Sequence, residues 1–293
     1  MEPRTLFPHT LLAVLALWPT LAHDTGAQEE PVRPSVLDSY DFSGPADTVW
    51  ELPRRLREIS GLAFSINGRL LAHDDELAIV YEFDYVSGEF TKAFALGDTT
   101  ARGDFEGIAA TSEHVYLVTS DGRIHESAEG NDGDRLLYNV YGTGVGRSCE
   151  VEGLTLDHDR QHLIMACKSP RVDRLRDRVT FYRWSPETRT MAADSMLSIP
   201  LSRFTARMKD EDAFSPSGIS RHPNGNYLVI AARESAIAEI TRSGEVVSLH
   251  EFRRGAHRQL EGIEIATDGT VFLADEGGGR RARISVYRSR SAQ

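Results

Sequence analysis

The sequence is short of cysteines, of positive charge and of long apolar runs, and each shortage excludes a class of protein. It has 293 residues with two cysteines, and it has no Cys/His spacing of the kind that structural zinc sites require. Lys and Arg total 33 against 44 Asp and Glu, a net charge of -11, which argues against a nucleic-acid partner. A Gly-x-Ser-x-Gly motif is also lacking, so a Ser-His-Asp hydrolase is unsupported.

The one extended apolar run, residues 11–18, is too short to cross a membrane and predicts a secretory signal peptide over residues 1–22. Arg4 precedes the run and a small-residue cleavage site follows it. An uncleaved membrane anchor is the alternative interpretation. Residues 23–34 are polar and are expected to form a flexible leader. We therefore expect an exported protein, periplasmic or secreted, with no transmembrane span after cleavage.

What the sequence does contain is one short phrase repeated five times. Its glycines lie 46, 46, 65 and 44 residues apart, and a period of this size indicates a repeat architecture. The copies follow one another without a linker, so we expect a single domain over residues 35–289 and a tail at 290–293. The five copies are EISGL at 58–62, DFEGI at 104–108, EVEGL at 150–154, SPSGI at 215–219 and QLEGI at 259–263.

Within each copy, short alternating apolar runs are divided by Asn-Gly, Ser-Gly or Asp-Gly turns, which is the pattern of antiparallel hairpins. Four strands per period predict an all-β fold, a β-propeller of five four-stranded blades. A sixth blade would need the long third copy to split, and its 65 residues are too few. We expect the extra residues to form two long loops, around 169–178 and 202–214.

The fifth copy supplies only three strands. The alternating segment 36–42 is therefore predicted to complete the last blade, which would close the ring and remove an exposed edge.

Both cysteines, Cys149 and Cys167, fall in the third copy, on strands that we expect to be neighbours. An oxidising export compartment permits a disulfide between them. Two buried thiols are the alternative, because a sequence does not show the Cα separation that a disulfide needs.

The repeated phrase concentrates carboxylates at one mouth of the propeller channel. Positions one and three before each glycine face the same side of an extended chain. Close like charges raise one another's pKa unless a cation neutralises them, and oxygen ligands of this kind suit Ca²⁺. The alternative is that the acids are solvated or brace neighbouring blades. Six carboxylates should share this rim: Glu58, Asp104, Glu106, Glu150, Glu152 and Glu261.

The ends of the second strands, including Asp275, should reach the same mouth. Basic residues in and near the long loops favour an anion site on this face, because guanidinium groups bind phosphate or carboxylate in bidentate fashion. Pairing of these cations with neighbouring acids is the alternative. The candidate anion-binding residues are Lys168, Arg171, Arg233 and Arg280.

Three of the phrases, together with the Leu52-Pro53 and Cys167-Lys168 pairs, resemble the SdiA-regulated domain family, also described as YjiK-like or calcium-regulated β-propellers and grouped loosely with phytase-like propellers. The resemblance covers residues 36–288. It implies an exported bacterial propeller with bound Ca²⁺. Serines replace the acids in the fourth copy, which suggests an off-axis metal. By matching motif, the metal ligands would be Glu58, Glu106, Glu152 and Glu261.

Three functions are compatible with these features, and the sequence leaves open whether the protein is an enzyme. The first is a monomeric, non-catalytic calcium-binding propeller that takes a small anionic ligand or a protein partner. The second is a calcium-dependent, phytase-like phosphoesterase acting on a phosphorylated small molecule, with Glu106 or Glu152 as base. A sugar-lactone hydrolase ranks last, because no Asn occupies the repeated rim positions.

Overall fold

The structure is a computed structural model that describes residues 34–290, apart from residues 160 and 210. The predicted signal peptide, nearly all of the leader and the last three residues of the tail lie outside the described residues. Regular structure is almost entirely β. Five short helical turns interrupt the strands: Val36–Ser39, Arg54–Leu56, Val145–Arg147 and Asp173–Leu175 are 3-10 helices, and α1 (Ser202–Thr205) is an α-helix.

The strands form five four-stranded antiparallel sheets, so the prediction of a five-bladed β-propeller is confirmed. The first strand in the chain, β1 (Thr48–Glu51), belongs to the last blade. Blade 1 is β2 (Ile59–Phe64), β3 (Leu70–Asp74), β4 (Ile79–Phe83) and β5 (Phe90–Leu96). Blade 2 is β6 (Phe105–Ala110), β7 (Val115–Thr119), β8 (Arg123–Ser127) and β10 (Tyr138–Gly142). The short β9 (Arg135–Leu136) pairs in parallel with β5.

The later blades repeat the arrangement. Blade 3 is β11 (Cys149–Leu156), β12 (Leu163–Pro170), β13 (Arg178–Ser185) and β14 (Thr190–Pro200). Blade 4 is β15 (Gly218–Arg221), β16 (Tyr227–Ala231), β17 (Ala236–Ile240) and β18 (Val246–Glu251). Blade 5 is β19 (Leu260–Ile265), β20 (Val271–Asp275), β21 (Arg283–Tyr287) and β1.

An N-terminal strand does close the last blade, but it is not the predicted one. β1 pairs antiparallel with β21, whereas residues 36–42 begin with the 3-10 helix. Leu37, Tyr40 and Phe42 are buried instead in the apolar cluster between blades 4 and 5. The apolar alternation of this segment therefore serves packing across a blade interface, a use that periodicity alone does not distinguish from a strand.

Neighbouring blades are joined by apolar cores. The cluster between blades 3 and 4 includes Phe204 of α1, which stacks on Phe214 with 4.5 Å between ring centroids. The second predicted long loop is thus anchored by apolar residues. Within residues 34–290, no helix is long and apolar enough to cross a membrane.

The innermost strands β2, β6, β11, β15 and β19 contact one another around the axis, and the repeated glycines lie where they meet. A Cβ on Gly107 would lie 2.6 Å from the Leu154 backbone nitrogen. Gly153 has a φ of 90°, and its Cβ would lie 2.9 Å from the Gly218 Cα. The space left among these glycines is only about 10 Å³. The axis is therefore pinched shut between two separate cavities, one at each end.

Candidate functional site

The acidic phrases bend where they reach one end of the axis. In β2, β6 and β19, the ladder to the second strand skips the residue just before the repeated glycine, and β11 has a similar irregularity. Such a β-bulge leaves the extra residue unpaired and re-aims its side chain. The re-aimed residues are Ser60, Glu106, Glu152 and Glu261. The β15–β16 ladder of blade 4 has no such shift.

These side chains line a cavity of about 130 Å³, here called the mouth cavity. Blades 1, 2, 3 and 5 contribute its walls, and among the described residues blade 4 contributes none. Six carboxyl groups and one ammonium group face the space: Glu58, Asp75, Glu106, Glu152, Glu261, Glu276 and Lys168.

Four of the five predicted metal ligands therefore meet, and Asp275 lies apart from them. Its carboxylate accepts hydrogen bonds from the backbone N–H of Arg258 (2.8 Å) and from Arg283 Nε (3.2 Å), and lies 2.7 Å from His257 Nδ1. Successive residues of a strand point to opposite sides. Asp275 consequently faces the interior of blade 5, and its neighbour Glu276 reaches the mouth cavity.

Two other carboxylates that were predicted for the rim lie away from the mouth cavity. Asp104 is exposed and accepts a hydrogen bond from Ser120 Oγ, and Glu150 does not line the cavity. Asp75 and Glu276 take their place, since each follows the last residue of a second strand. The HDDE and DE runs that end those strands were the signal for them, but the bulges set the register.

Crowding and burial raise the pKa of the mouth carboxyls. Burial, reinforced by the charges of Glu152 and Asp104, raises the pKa of Glu106 to about 9. Burial raises the pKa of Glu152 to about 7, although Lys168 opposes the shift. The pKa of Asp75 rises to about 7 through burial and the nearby charges of Asp74 and Glu58. These carboxyls are thus held together without enough positive charge to ionise them all.

Two oxygens at this cavity lack hydrogen-bond partners. Glu152 is 3% exposed, and its Oε1 accepts from Lys168 Nζ, but its Oε2 has no partner. Oδ1 of Asp75 is also buried without one. Glu106 Oε2 accepts from Ser60 Oγ at 3.3 Å. Buried polar atoms are normally satisfied, so these two oxygens have unused capacity to accept a hydrogen bond or to coordinate a cation.

Of the four predicted anion-binding residues, Lys168 alone lines the mouth cavity in the described part of the chain. Arg171 is exposed and donates to the Gly146 carbonyl at 2.7 Å. Arg233 and Arg280 are exposed. Burial raises the pKa of Glu261, and the charges of Lys168 and Arg233 oppose that shift without reversing it. The cations are therefore not assembled as a clamp around the carboxylates.

Cys149 and Cys167 form a disulfide between β11 and β12, with their Cα atoms 5.7 Å apart. That separation is ordinary for a disulfide. The bond ties together the two strands that carry Glu152 and Lys168 to the mouth.

A second group of metal-type ligands, which sequence reasoning missed, is Asp157, Asp159 and His162. A guanidinium already occupies it, because Arg183 Nη2 lies 2.9 Å from Asp157 Oδ2 and 2.8 Å from Asp159 Oδ2. We interpret this group as a structural ion-pair network.

No protein-family model matches the sequence, and no curated protein matches it. Solved structures do match. A glutaminyl cyclase from Myxococcus xanthus gives a TM-score of 0.55 at 14% identity, covering 83% of this chain and 94% of that chain. A luciferin-regenerating enzyme gives a TM-score of 0.51 at 9% identity, covering 84% and 96%. At these identities the likeness shows the fold alone, and the fold defines the chain as a five-bladed β-propeller.

Proposed function

We propose that the mouth cavity binds a hard divalent cation, Ca²⁺, and that the protein is an exported cation-binding β-propeller. The observation that supports this most is the pair of buried, unpartnered oxygens, Glu152 Oε2 and Asp75 Oδ1, at a cavity where six carboxyls face a single ammonium. Ca²⁺ takes six to eight oxygen ligands in flexible geometry, which suits a ring of carboxylates better than zinc or a softer ion would.

The charge distribution supplies a driving force for such binding. Among the described residues, no three carboxylates of the mouth have oxygens within 4.8 Å of one another. A bound cation must draw them inward, and its charge replaces their mutual repulsion with attraction. Because the pKa values of Glu106, Glu152 and Asp75 are raised, binding near neutral pH is expected to release protons.

The proposed family and cellular location rest on the sequence and on the disulfide. The repeated phrases support membership of the SdiA-regulated, YjiK-like propellers. Export is supported by the apolar N-terminal run, which lies outside the described residues, and by the Cys149–Cys167 disulfide, which forms in oxidising compartments. We propose a periplasmic or secreted, monomeric protein.

Calorimetric titration of Ca²⁺ into the purified protein, with Mg²⁺ as comparison, tests the cation site. We expect binding at one or two sites and a raised melting temperature, since a ligand specific for the folded state must stabilise it. The double variant Glu152→Gln/Glu261→Gln should bind at least about tenfold more weakly, because ligand charge sets the affinity of such sites.

Glu150→Gln is the matched control, because it removes a carboxylate from β11 that does not line the cavity. Its Ca²⁺ affinity should stay close to that of the parent. Absence of heat and of a melting shift in the parent protein would refute the cation site.

A calcium-dependent phosphoesterase is the second candidate, and one observation favours it. The pKa of Glu152, about 7, suits a group that exchanges protons near neutral pH. Among the residues that the structure describes, Lys168 is the basic residue that lines the cavity and could contact a phosphate. Assay of a panel of phosphomonoesters decides the matter: phosphate release that requires Ca²⁺ and disappears in Glu152→Gln would make the protein an enzyme.

A further inference from the structure

The cavity at the other end of the axis, here called the base cavity, is the larger of the two. Its volume is about 300 Å³, and it lies where the innermost strands end and the hairpins to the second strands begin. The repeated glycines, which pack closely at the axis, separate it from the mouth cavity. Its walls are mixed: the apolar side chains of Phe64, Tyr85, Leu156 and Ile265 share them with hydroxyl and charged groups. Concave sites that combine apolar and aromatic side chains with a few convergent polar groups are the usual form of small-molecule sites.

The repeat is broken here by two charged residues. Two positions after the repeated glycine, the five copies carry Ala63, Ala109, Thr155, Ser220 and Glu264. One position further, they carry Phe64, Ala110, Leu156, Arg221 and Ile265. A glutamate and an arginine thus replace small or apolar residues in two adjacent blades, and both line the base cavity. Departures from a repeat that do not serve the fold are expected at functional positions.

Glu264 is held in place at some energetic cost. It is 9% exposed, and its Oε2 accepts a hydrogen bond from Ser220 Oγ at 3.3 Å. Burial raises its pKa to about 8, and the charge of Arg221 opposes that shift. Burying a carboxyl costs free energy that alanine at the same position in blades 1 and 2 does not. The blade architecture does not need the acid, so its position at the wall of a cavity requires another reason.

We propose that the base cavity binds a small one-ring aromatic or alicyclic molecule that donates a hydrogen bond from a hydroxyl or amino group to Glu264. Phe64 and Tyr85 meet edge to face, with 5.4 Å between centroids and an interplanar angle of 90°, and offer an aromatic wall for the ring. The volume of about 300 Å³ is sufficient for a single ring. The proposal is independent of the cation site, since the two cavities do not connect.

Phenol and anisole are the probes, because anisole keeps the ring and loses the donor. Ligand-observed NMR titration of the full chain should show saturable phenol binding and at least about tenfold weaker anisole binding, the effect of losing a hydrogen bond to a buried carboxyl. Glu264→Leu, which removes both acceptor oxygens, should weaken phenol binding by a similar factor. Ala110→Phe should abolish it by filling the cavity, with Ser112→Phe at the rim as a second blocking variant.

Glu113→Gln is the matched control, because Glu113 is exposed in the hairpin that follows the strand of Ala110 and does not line the base cavity. It should bind phenol as the parent does, and melting curves establish that each variant is folded. The proposal is overturned if phenol does not saturate the parent, if anisole binds as well as phenol, or if folded blocking variants still bind phenol.

Discussion

The two ends of the propeller axis are built from the same five strands and yet differ in chemistry. At the mouth, β-bulges aim the carboxyl groups of Glu106, Glu152 and Glu261, from three blades, into one small space. At the base, regular strand ends present apolar and hydroxyl side chains together with one buried acid, Glu264, and one arginine, Arg221. The repeat therefore accounts for the scaffold. The chemistry comes from local irregularities, either a bulge shared by several copies or a residue that one copy alone carries.

The repeated glycines pack closely at the axis and keep the mouth and base cavities apart. A substitution that disrupts this packing should have the largest effect on stability. Gly153→Ala adds a Cβ against the backbone of Gly218 at a positive φ. We expect it to lower the free energy of unfolding by about 3 kcal/mol or more, the sum of backbone strain and overpacking. Denaturant unfolding measures this.

Gly142→Ala serves as its control, because that glycine has no positive φ and no atom within 4 Å of an added Cβ. A change within about 0.5 kcal/mol is expected there. A Gly153→Ala protein as stable as its parent would show that the axis is not closely packed.

Removing the disulfide should affect the mouth more than the base. The double variant Cys149→Ser/Cys167→Ser opens a loop with a sequence separation of 18 residues, which should lower stability by about 3 kcal/mol. Ca²⁺ affinity should fall because β11 and β12 position Glu152 and Lys168, whereas phenol affinity should not change. Reductant must have no further effect on this variant. Equal losses of Ca²⁺ affinity and phenol affinity would contradict a local role of the disulfide at the mouth.

Substitutions at the adjacent residues Asp275 and Glu276 should have different effects, one on stability and the other on Ca²⁺ binding. Asp275→Asn weakens the contacts to His257 and Arg283 and should cost about 2 kcal/mol of stability, with Ca²⁺ affinity unchanged. Glu276→Gln should do the reverse, with little loss of stability and weaker Ca²⁺ binding. Thermal melts and calorimetry on both variants check this, and a strong loss of Ca²⁺ binding in Asp275→Asn would restore Asp275 as a ligand.

The smallest effect concerns pH. Glu106, Glu152 and Asp75 have folded-state pKa values of about 9, 7 and 7, above the usual carboxyl values. The folded protein therefore binds more protons than the unfolded chain, and its stability should fall as pH rises from about 5 to about 9 without Ca²⁺. Glu106→Gln should flatten the upper part of this slope and raise stability at pH 8 by on the order of 1 kcal/mol.

The variant Glu264→Gln distinguishes the pH dependence that arises at the base from the one that arises at the mouth. It should remove a pH dependence that added Ca²⁺ does not change, because its carboxyl lies in the base cavity. Stability that rises with pH across this range in the cation-free protein would contradict the account of the mouth.

The sequence predicts the scaffold well and the site in part. Five phrases at a period of about 45 residues and their turn residues suffice for five blades. They do not predict bulges, since a skipped residue leaves no compositional trace. For that reason the sequence predicted Asp275 rather than Glu276 as a ligand and placed Asp104 and Glu150 on the rim, although none of these three predicted residues lines the cavity. The prediction of the closing strand was wrong for another reason. The segment 36–42 alternates more strongly but packs between blades, and the less regular TVWE stretch forms β1.

The most direct test of the cation site is anomalous diffraction from crystals soaked in terbium, a calcium substitute with strong anomalous scattering. The account predicts a peak in the mouth cavity, among oxygens of Glu106, Glu152 and Glu261, that calcium displaces. A cavity without a peak, or a peak confined to the Asp157, Asp159 and His162 group, would contradict it.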